Sequence, residues 1–257
     1  MVDAHRANRQ LWNEWSDAFQ ALWNAETDDG DLPPVPSPFS SDEKGWDPSE
    51  AIPTVEGASV VELGCGGGQG AIGTALAGAD RVIGVDVSDE QLRHARRHRD
   101  YYEVEVEFAH GDVTHLPLPD DAFDVAFSEW AFQMVADLGA ALSEARRVLG
   151  SNGVLLLSVP HPVHELFDPE SLTLERSYHA APRRTIEIDE SYDAEMVVFD
   201  RGVGEYHREL CDAGFRVKRV LEPDPHVDDT GEEAGDVTND DLEAFVPRDL
   251  RFVASVA

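Results

Sequence analysis

The residues of this chain best suited to chemistry are a run of glycines set between two acids. Val60-Val61-Glu62-Leu63 is a short apolar stretch carrying one acid, and Gly64-Cys65-Gly66-Gly67-Gly68-Gln69-Gly70 follows it directly. Glycines in that place let a buried strand turn sharply into a helix, because only glycine readily accepts positive φ and lets the backbone approach a ligand. One helix length later a second apolar run, Arg81-Val82-Ile83-Gly84-Val85, ends in Asp86. This β-α-β-acid rhythm is that of a nucleotide-binding half-fold, and it places Asp86 where a carboxylate could grip a ribose diol.

The text that follows extends the pattern. Gly84-Val85-Asp86-Val87-Ser88 is succeeded by Gly111-Asp112-Val113-Thr114-His115-Leu116-Pro117-Leu118-Pro119-Asp120 and by Ala122-Phe123-Asp124-Val125-Ala126-Phe127. Together with Glu62–Gly68, these segments resemble class I S-adenosylmethionine (SAM)-dependent methyltransferases, in the family's order and over roughly residues 58–160. More narrowly they look like the type 11 small-molecule branch, which includes the quinone-biosynthesis methyltransferases. The resemblance implies an α/β fold: a Rossmann-like seven-stranded, mostly parallel sheet with an antiparallel last strand and helices on both faces. It implies SAM as cofactor and methyl transfer to an oxygen or carbon nucleophile of a small molecule.

It also implies roles for single residues. The backbone of Gly64, Cys65, Gly66 and Gly68 passes close to the methionine arm. Glu62 orients the loop or the amino group, Asp86 accepts from both ribose hydroxyls, and Val87 lies against the adenine. Asp112 accepts from the adenine amine while the Val113 amide donates to a ring nitrogen. Ser128, just past the fourth strand, faces the methyl region. Taken singly, Asp112 could equally cap a turn and Glu62 could pair with an arginine. Cys65 reads as a small residue tolerated in the loop rather than as a nucleophile, and no metal site is expected.

Methyl transfer is an in-line displacement at a carbon that is already activated, so the protein mainly orients the reactants. A base is needed only when the nucleophile keeps a proton. His161, His164 and Glu129 are the candidate bases. His161-Pro162 resembles a pair found in related small-molecule enzymes, and the competing reading of His161 is an anchor for a lid. Enzymes that methylate the adenine amine or the glutamine amide carry an Asn/Asp-Pro-Pro-aromatic motif where this chain reads Ser128-Glu129-Trp130. Its absence favours an oxygen or carbon nucleophile, with Trp130 and Phe132 as pocket walls or as core.

The elements that must hold these groups follow from periodicity. Residues 4–25 place Leu11, Trp12, Trp15, Phe19, Leu22 and Trp23 on one helical face. Phe19-Gln20 stands where related proteins commonly show Tyr-Gln near SAM. Residues 26–57, with Pro33, Pro34, Pro36, Pro38 and Pro48, read as an acidic extended linker. Residues 1–57 then form a cofactor lid and its linker, and 58–257 the SAM-binding domain. The spacing predicts helices over 69–79, from the cap Ser88 to about Arg99 with Gln91 completing a capping box, over 138–149 and over 203–213. Strands are expected at 81–85, 104–108, 123–127, 154–159 after a Ser151-Asn152-Gly153 turn, 215–221 and 250–256. Residues 161–200 break the rhythm, with extended pieces at 184–189 and 192–199, and are expected to be a substrate lid. Residues 223–245 read as an acidic segment.

Composition sets the surroundings. The chain has 257 residues and is 42% hydrophobic, enough for one large α/β domain. It lacks an apolar run long enough to span a membrane and a signal-peptide core, so a cytoplasmic protein is expected, monomeric or homodimeric. Two cysteines, Cys65 and Cys211, make no disulfide framework. There are 52 acids against 20 bases, for a net charge of −32, and two of the bases are lysines (Lys44 and Lys218), which leaves 18 arginines. This balance resembles halophilic proteins, in which salt screens the repulsion among carboxylates. No basic patch or appended domain points to nucleic acid. Two rival readings stay open: an NAD-dependent dehydrogenase, from Gly66–Ala71 read as G-x-G-x-x-A with Asp86, and a SAM-binding protein without catalysis. The charge balance yields a direct expectation: far-UV ellipticity falls on dialysis from molar KCl to low salt, and a cooperative melt in salt-free buffer would contradict it.

Overall fold

The computed structural model describes residues 3–25, 35, 55–168, 171–180, 182–223, 242 and 245–257. Most of the proposed linker at 26–57, with all six of its prolines (Pro53 besides the five named above), and most of the acidic segment 223–245 lie outside the described residues. Helix α1 spans Ala4–Ala25. The main body then runs β1 (Ser59–Leu63), α2 (Gln69–Leu76), β2 (Arg81–Asp86), α3 (Asp89–Tyr102), β3 (Val106–His110), β4 (Phe123–Glu129), α4 (Leu138–Val148) and β5 (Leu149–Pro160). A hairpin of β6 (Arg183–Ile186) and β7 (Met196–Phe199) precedes α5 (Val203–Asp212), β8 (Phe215–Leu221) and β9 (Asp249–Val256).

Seven strands form one sheet in the order β3-β2-β1-β4-β5-β9-β8. β9 runs antiparallel to both of its neighbours, while β1 to β5 pair in parallel. The central strands are buried on both faces, as a parallel sheet covered by helices requires. Val61, Leu63 and Ala126 face a core shared with Leu138, Leu142, Tyr206 and Leu210 of α4 and α5. Val60, Val125 and Phe127 face the opposite layer with Ala71 and Ile72 of α2. The chain leaves β1 for β2 and β3 on one side and returns to β4 on the other. That reversal opens a crevice at the carboxyl ends of β1 and β4, the place where ligands bind in open sheets of this kind.

The boundaries depart from the sequence expectation where pairing or packing overrides local signals. β3 begins at Val106, two residues later than expected, because its register is fixed by pairing Val82 with Val106 through Asp86 with His110. α2 ends at Leu76 and is followed by Gly78 at φ 95°. No turn separates α4 from β5. Leu149 already pairs with Phe123, and the register then shifts so that Val125 meets Val154. Gly153 serves this irregularity by being small, since a Cβ there would come within 2.7 Å of the Leu149 Cβ.

The segment after β5 holds a 3-10 turn at His164–Leu166 and the β6–β7 hairpin, whose strands are shorter than the sequence suggests. Arg184 pairs with Glu165 and with Asp200, and Asp200 also accepts from Arg176 at 2.9 Å, so these side chains tie the hairpin to the end of β5. α1 docks against this hairpin. Ala4 and Ala7 pack on Val197 and Phe199, and Asn8 behaves like an extra strand residue. Its Oδ1 accepts from Val197 N at 2.7 Å, and its Nδ2 donates to Val197 O at 2.8 Å and to Met134 O at 3.1 Å. The buried stripe of α1 is mostly small and polar, Ala4, Ala7, Asn8, Ser16 and Gln20, with Leu11 of the expected face as its large apolar member. The aromatic side chains flank it instead, with Trp12 stacked on Trp15, Phe19 meeting both edge-on and Leu22 62% exposed. Replacing Asn8 by alanine leaves three buried backbone groups without a partner and is expected to cost about 1–3 kcal/mol. Urea unfolding checks this, together with faster proteolysis near residue 25.

Candidate functional site

β1 ends at Leu63 and the backbone turns back through three left-handed glycines: Gly64 (φ 80°), Gly66 (φ 49°) and Gly68 (φ 78°). A side chain at Gly64 would put its Cβ 2.4 Å from that of Ala131 in the segment after β4, so this glycine is required twice over. The Gly64 and Cys65 amides donate to Val85 O at 2.8 and 3.0 Å, which ties the turn to the end of β2. From α3, the His98 ring holds Gly67 O at 2.8 Å. Burial lowers the pKa of His98 and favours the neutral ring.

Asp86 closes the turn. Its Oδ2 accepts from Gly66 N and its Oδ1 from Ser88 N, each at 2.8 Å. Burial raises its pKa from the usual carboxylate value, against the pull of these backbone amides. A carboxylate has about four acceptor sites, so with the amides of Gly66, Ser88 and Val87 around it Asp86 can hold the loop and still take a hydroxyl hydrogen. Ser88 caps α3 through Oγ, which accepts from Gln91 N at 3.1 Å and donates to Asn13 Oδ1 at 2.8 Å. The expected capping box is only half formed: Asp86 occupies Ser88 N, and the Gln91 side chain reaches Gln20 instead.

Glu62 is 4% exposed and its Oε2 accepts from Ala71 N at 2.7 Å, an acid inside the first turn of α2. It therefore orients the loop and helix start through a backbone amide rather than through an arginine. Cys65 is buried with its thiol pushed up by burial and by the nearby acids, which makes it unreactive. Val87 lies half-buried beside Asp86, and His110 holds its carbonyl at 3.1 Å. Asp112 does two things at once. Its Oδ1 accepts from Thr114 N at 2.8 Å, and its Oδ2 faces His5 Nδ1 of α1 at 3.3 Å. Val113 is half-buried and packs on the core.

The fourth strand runs to Glu129, so Ser128 lies inside it, fully buried, with an Oγ that has no hydrogen-bond partner. Trp130 follows at φ 52°, a conformation costly for a bulky residue. It is held there by Nε1 donating to Asp249 at 2.6 Å and by the Arg248 guanidinium 4.8 Å over its ring. Phe132 is completely buried and belongs to the core, not to a pocket wall. His161 is 4% exposed; Val163 N donates to its Nδ1 at 3.2 Å and its Nε2 meets Glu222 Oε1 at 2.9 Å. With both ring nitrogens engaged, His161 has the geometry of an anchor. Among the described residues no group of three or more His, Cys, Asp or Glu side chains is placed to hold a metal ion.

Three polar residues of α1 face this turn and α3: Asn13, Asp17 and Gln20, at helical spacing. Asp17 meets the His94 ring at 2.8 Å and is also bonded to Arg93, contacts that lower its pKa. Gln20 lies over Gly67, where any Cβ would fall 2.4 Å from its Nε2. Sequence reading noticed the Phe19-Gln20 pair but missed the stripe, because the tryptophans beside it dominate the hydrophobic pattern. It also missed Arg201, buried after β7, which donates to the carbonyls of Phe132, Val135 and Ala136 at 3.2, 2.6 and 3.0 Å and fixes the segment after β4. A lone arginine between a strand and a helix carries no sequence signal for such a role.

Left-handed glycines, an acid at the end of β2 and two buried unpartnered polar atoms, Ser128 Oγ and Gln91 Nε2, make a cradle suited to an adenosyl compound. Comparison with known proteins agrees with it. Residues 61–157 match the family described as a methyltransferase domain. The chain is 35% identical over 179 residues to an uncharacterized 37.1 kDa protein in transposon TN4556 of Streptomyces fradiae, an alignment covering 67% of this chain and 47% of that protein. It is 40% identical over 102 residues to malonyl-[acyl-carrier protein] O-methyltransferase of Yersinia pestis, covering 40% of this chain and 36% of that one. The chain thus spans less than half the length of these two curated relatives. A solved S-adenosylmethionine-dependent methyltransferase from Mesorhizobium loti shares the fold with a TM-score of 0.63 at 25% identity, over 79% of this chain and 93% of that one.

Glu62 offers a pH test of the cradle. Burial, reinforced by the charge of Glu129, raises its pKa well above the usual value. A carboxyl raised in the folded state favours folding while it is protonated, and that stability is lost as pH climbs from the unfolded value through the folded one. Glu62→Gln removes this loss, so its Tm relative to wild type is expected to climb as the pH range of the melts rises from the ordinary carboxylate value upward. A difference that stays constant across thermal melts in that range would contradict the assignment.

Proposed function

We propose that the protein, whose residues 61–157 match a methyltransferase domain, is a class I SAM-dependent methyltransferase that moves a methyl group from SAM to an oxygen or carbon nucleophile of a small molecule. The observation that carries this reading is the glycine turn closed by Asp86, with the carboxylate bonded to Gly66 and Ser88 and still open to hydroxyls. Bound there, SAM would supply an electrophilic methyl group on a sulfonium. Asp86 would take the ribose hydroxyls, Val87 the adenine face, and Asp112 with the Val113 amide the adenine edge. Gly64, Cys65, Gly66 and Gly68 would pass along the methionine arm, with Ser128 beside the methyl region.

The residues contribute orientation and dryness. In-line transfer needs nucleophile, methyl and sulfur held in line with water excluded, which is worth about 7–11 kcal/mol in favourable cases. Arg201 and the Trp130 clamp fix the segment after β4 that borders the crevice. α1 and the β6–β7 hairpin, joined through Asn8, act as the lid. The geometry of His161 favours lid anchoring over base catalysis, which suits a nucleophile that does not need a protein base. Ser128-Glu129-Trp130 lacks the motif of amine and amide methylation and favours oxygen or carbon.

The dehydrogenase reading fares worse: β9 is antiparallel and inserted between β5 and β8, whereas a dinucleotide fold continues its parallel order. The charge of −32, carried with arginine in place of lysine, favours a salt-rich cytoplasm and a small-molecule acceptor over nucleic acid for a monomeric or homodimeric enzyme.

Calorimetry with S-adenosylhomocysteine, the demethylated product, tests the site. Asp86→Ala is expected to weaken binding by about 1.5–3 kcal/mol, or roughly 10- to 150-fold, as loss of charge-assisted hydrogen bonds predicts. Asp86→Asn keeps one side-chain acceptor, enough for one of the two amides of Gly66 and Ser88, and far-UV melts of both variants separate lost binding from misfolding. Unchanged affinity in both variants, or tighter binding of NAD by the wild type, would remove the assignment.

A further inference from the structure

Gln91 lies on the first turn of α3 and is 1% exposed. Its Oε1 accepts from Gln20 Nε2 at 2.7 Å, and Gln20 Oε1 in turn accepts from Gln69 Nε2 at 2.8 Å. This line of carboxamides ends in an orphan: Gln91 Nε2 is buried and has no hydrogen-bond partner. Buried polar groups are almost always paired, and an exception inside a ligand crevice calls for an explanation. Capping does not supply one, because Asp86 already takes the Ser88 amide that the Gln91 side chain would reach.

Gly66 connects the orphan to the proposed adenosyl site. Its amide donates to Asp86 Oδ2 at 2.8 Å, and a Cβ built on it would face the Gln91 carboxamide, whose Oε1 would be 3.7 Å away. Asp86 and Gln91 therefore flank the same residue of the turn. Toward a diol they are complementary, since a carboxylate only accepts and an amide nitrogen only donates. A hydroxyl that gives its hydrogen to Asp86 keeps lone pairs open to a donor.

We propose that Gln91 is a further cofactor-binding residue: its Nε2 donates to a ribose hydroxyl oxygen whose hydrogen Asp86 accepts. Gln20, reaching in from α1, is the positioning residue that turns the nitrogen of this carboxamide toward the ligand. Gly67 makes the arrangement possible. Its φ is not left-handed, and its missing side chain leaves the space that Gln20 fills. Lid closure and cofactor binding are thus coupled through one hydrogen bond. The inference rests on the reading of the glycine turn and Asp86 as an adenosyl site.

Calorimetry on the full chain with S-adenosylhomocysteine and with 5′-methylthioadenosine tests it, since the second compound keeps the ribose and lacks the amino-acid arm. Gln91→Glu preserves size and the acceptor for Gln20 but removes the donor; Gln91→Met removes both. Each variant is expected to bind both compounds about 3- to 10-fold more weakly, by the same factor for each. Gln20→Met is expected to weaken both as well, but to add little in the Gln91→Met background. Wild-type chain that binds neither compound would overturn the adenosyl site itself. Wild-type binding left unchanged by both Gln91 variants would overturn only the role of Gln91, and a loss confined to S-adenosylhomocysteine would refute the ribose contact. Full additivity of the Gln20 and Gln91 losses would refute the coupling. Far-UV melts of each variant separate these outcomes from misfolding.

Discussion

The structure depends on one carboxylate placed at the end of a buried strand. Asp86 receives an amide from the glycine turn after β1 and another from the start of α3, so a single side chain sets the distance between two βα units. The Val85 carbonyl does the same for Gly64 and Cys65. Because these bonds join β1 and β2 at their carboxyl ends, the crevice is held open by the backbone together with this one side chain, whose two oxygens are each fixed by an amide. The three left-handed glycines are the condition for it, since no other residue makes that return without strain.

A second consequence concerns charge. Glu62 and Asp86 are both desolvated acids whose pKa values burial raises, and they accept from the backbone amides of Ala71, Gly66 and Ser88. An acidic pocket solvated by amides is poorly suited to a diphosphate and well suited to a ligand carrying positive charge. In a chain of net charge −32 such a pocket costs more to keep desolvated, and the dense amide contacts offset part of that cost.

Helix α1 obeys a different logic. α1 docks through a stripe of small and polar residues, in which Asn8 extends the β6–β7 hairpin and Asn13, Asp17 and Gln20 meet α3. The aromatic side chains that dominate the helix in sequence stack on one another along its flank.

Much of this was legible in the residues alone. The glycine turn, the acids Glu62 and Asp86 and the Ser88 cap rest on short-range rules, while the seven-stranded sheet with its reversed last strand was implied by the family resemblance. Strand burial reads as an apolar run, a tight return demands glycine, and a cap needs a hydroxyl one turn before its amide. What tertiary structure decided was every matter of partners. It moved β3 and β5 to the register their neighbours impose, sent Phe132 into the core, gave both nitrogens of His161 to other groups, and turned Gln91 from a capping residue toward Gln20. The physical reason is the same in each case. Local sequence sets what a backbone can do over a few residues, whereas a side chain's partner is whichever group packing delivers from a distant segment, and no pattern within one segment encodes that meeting.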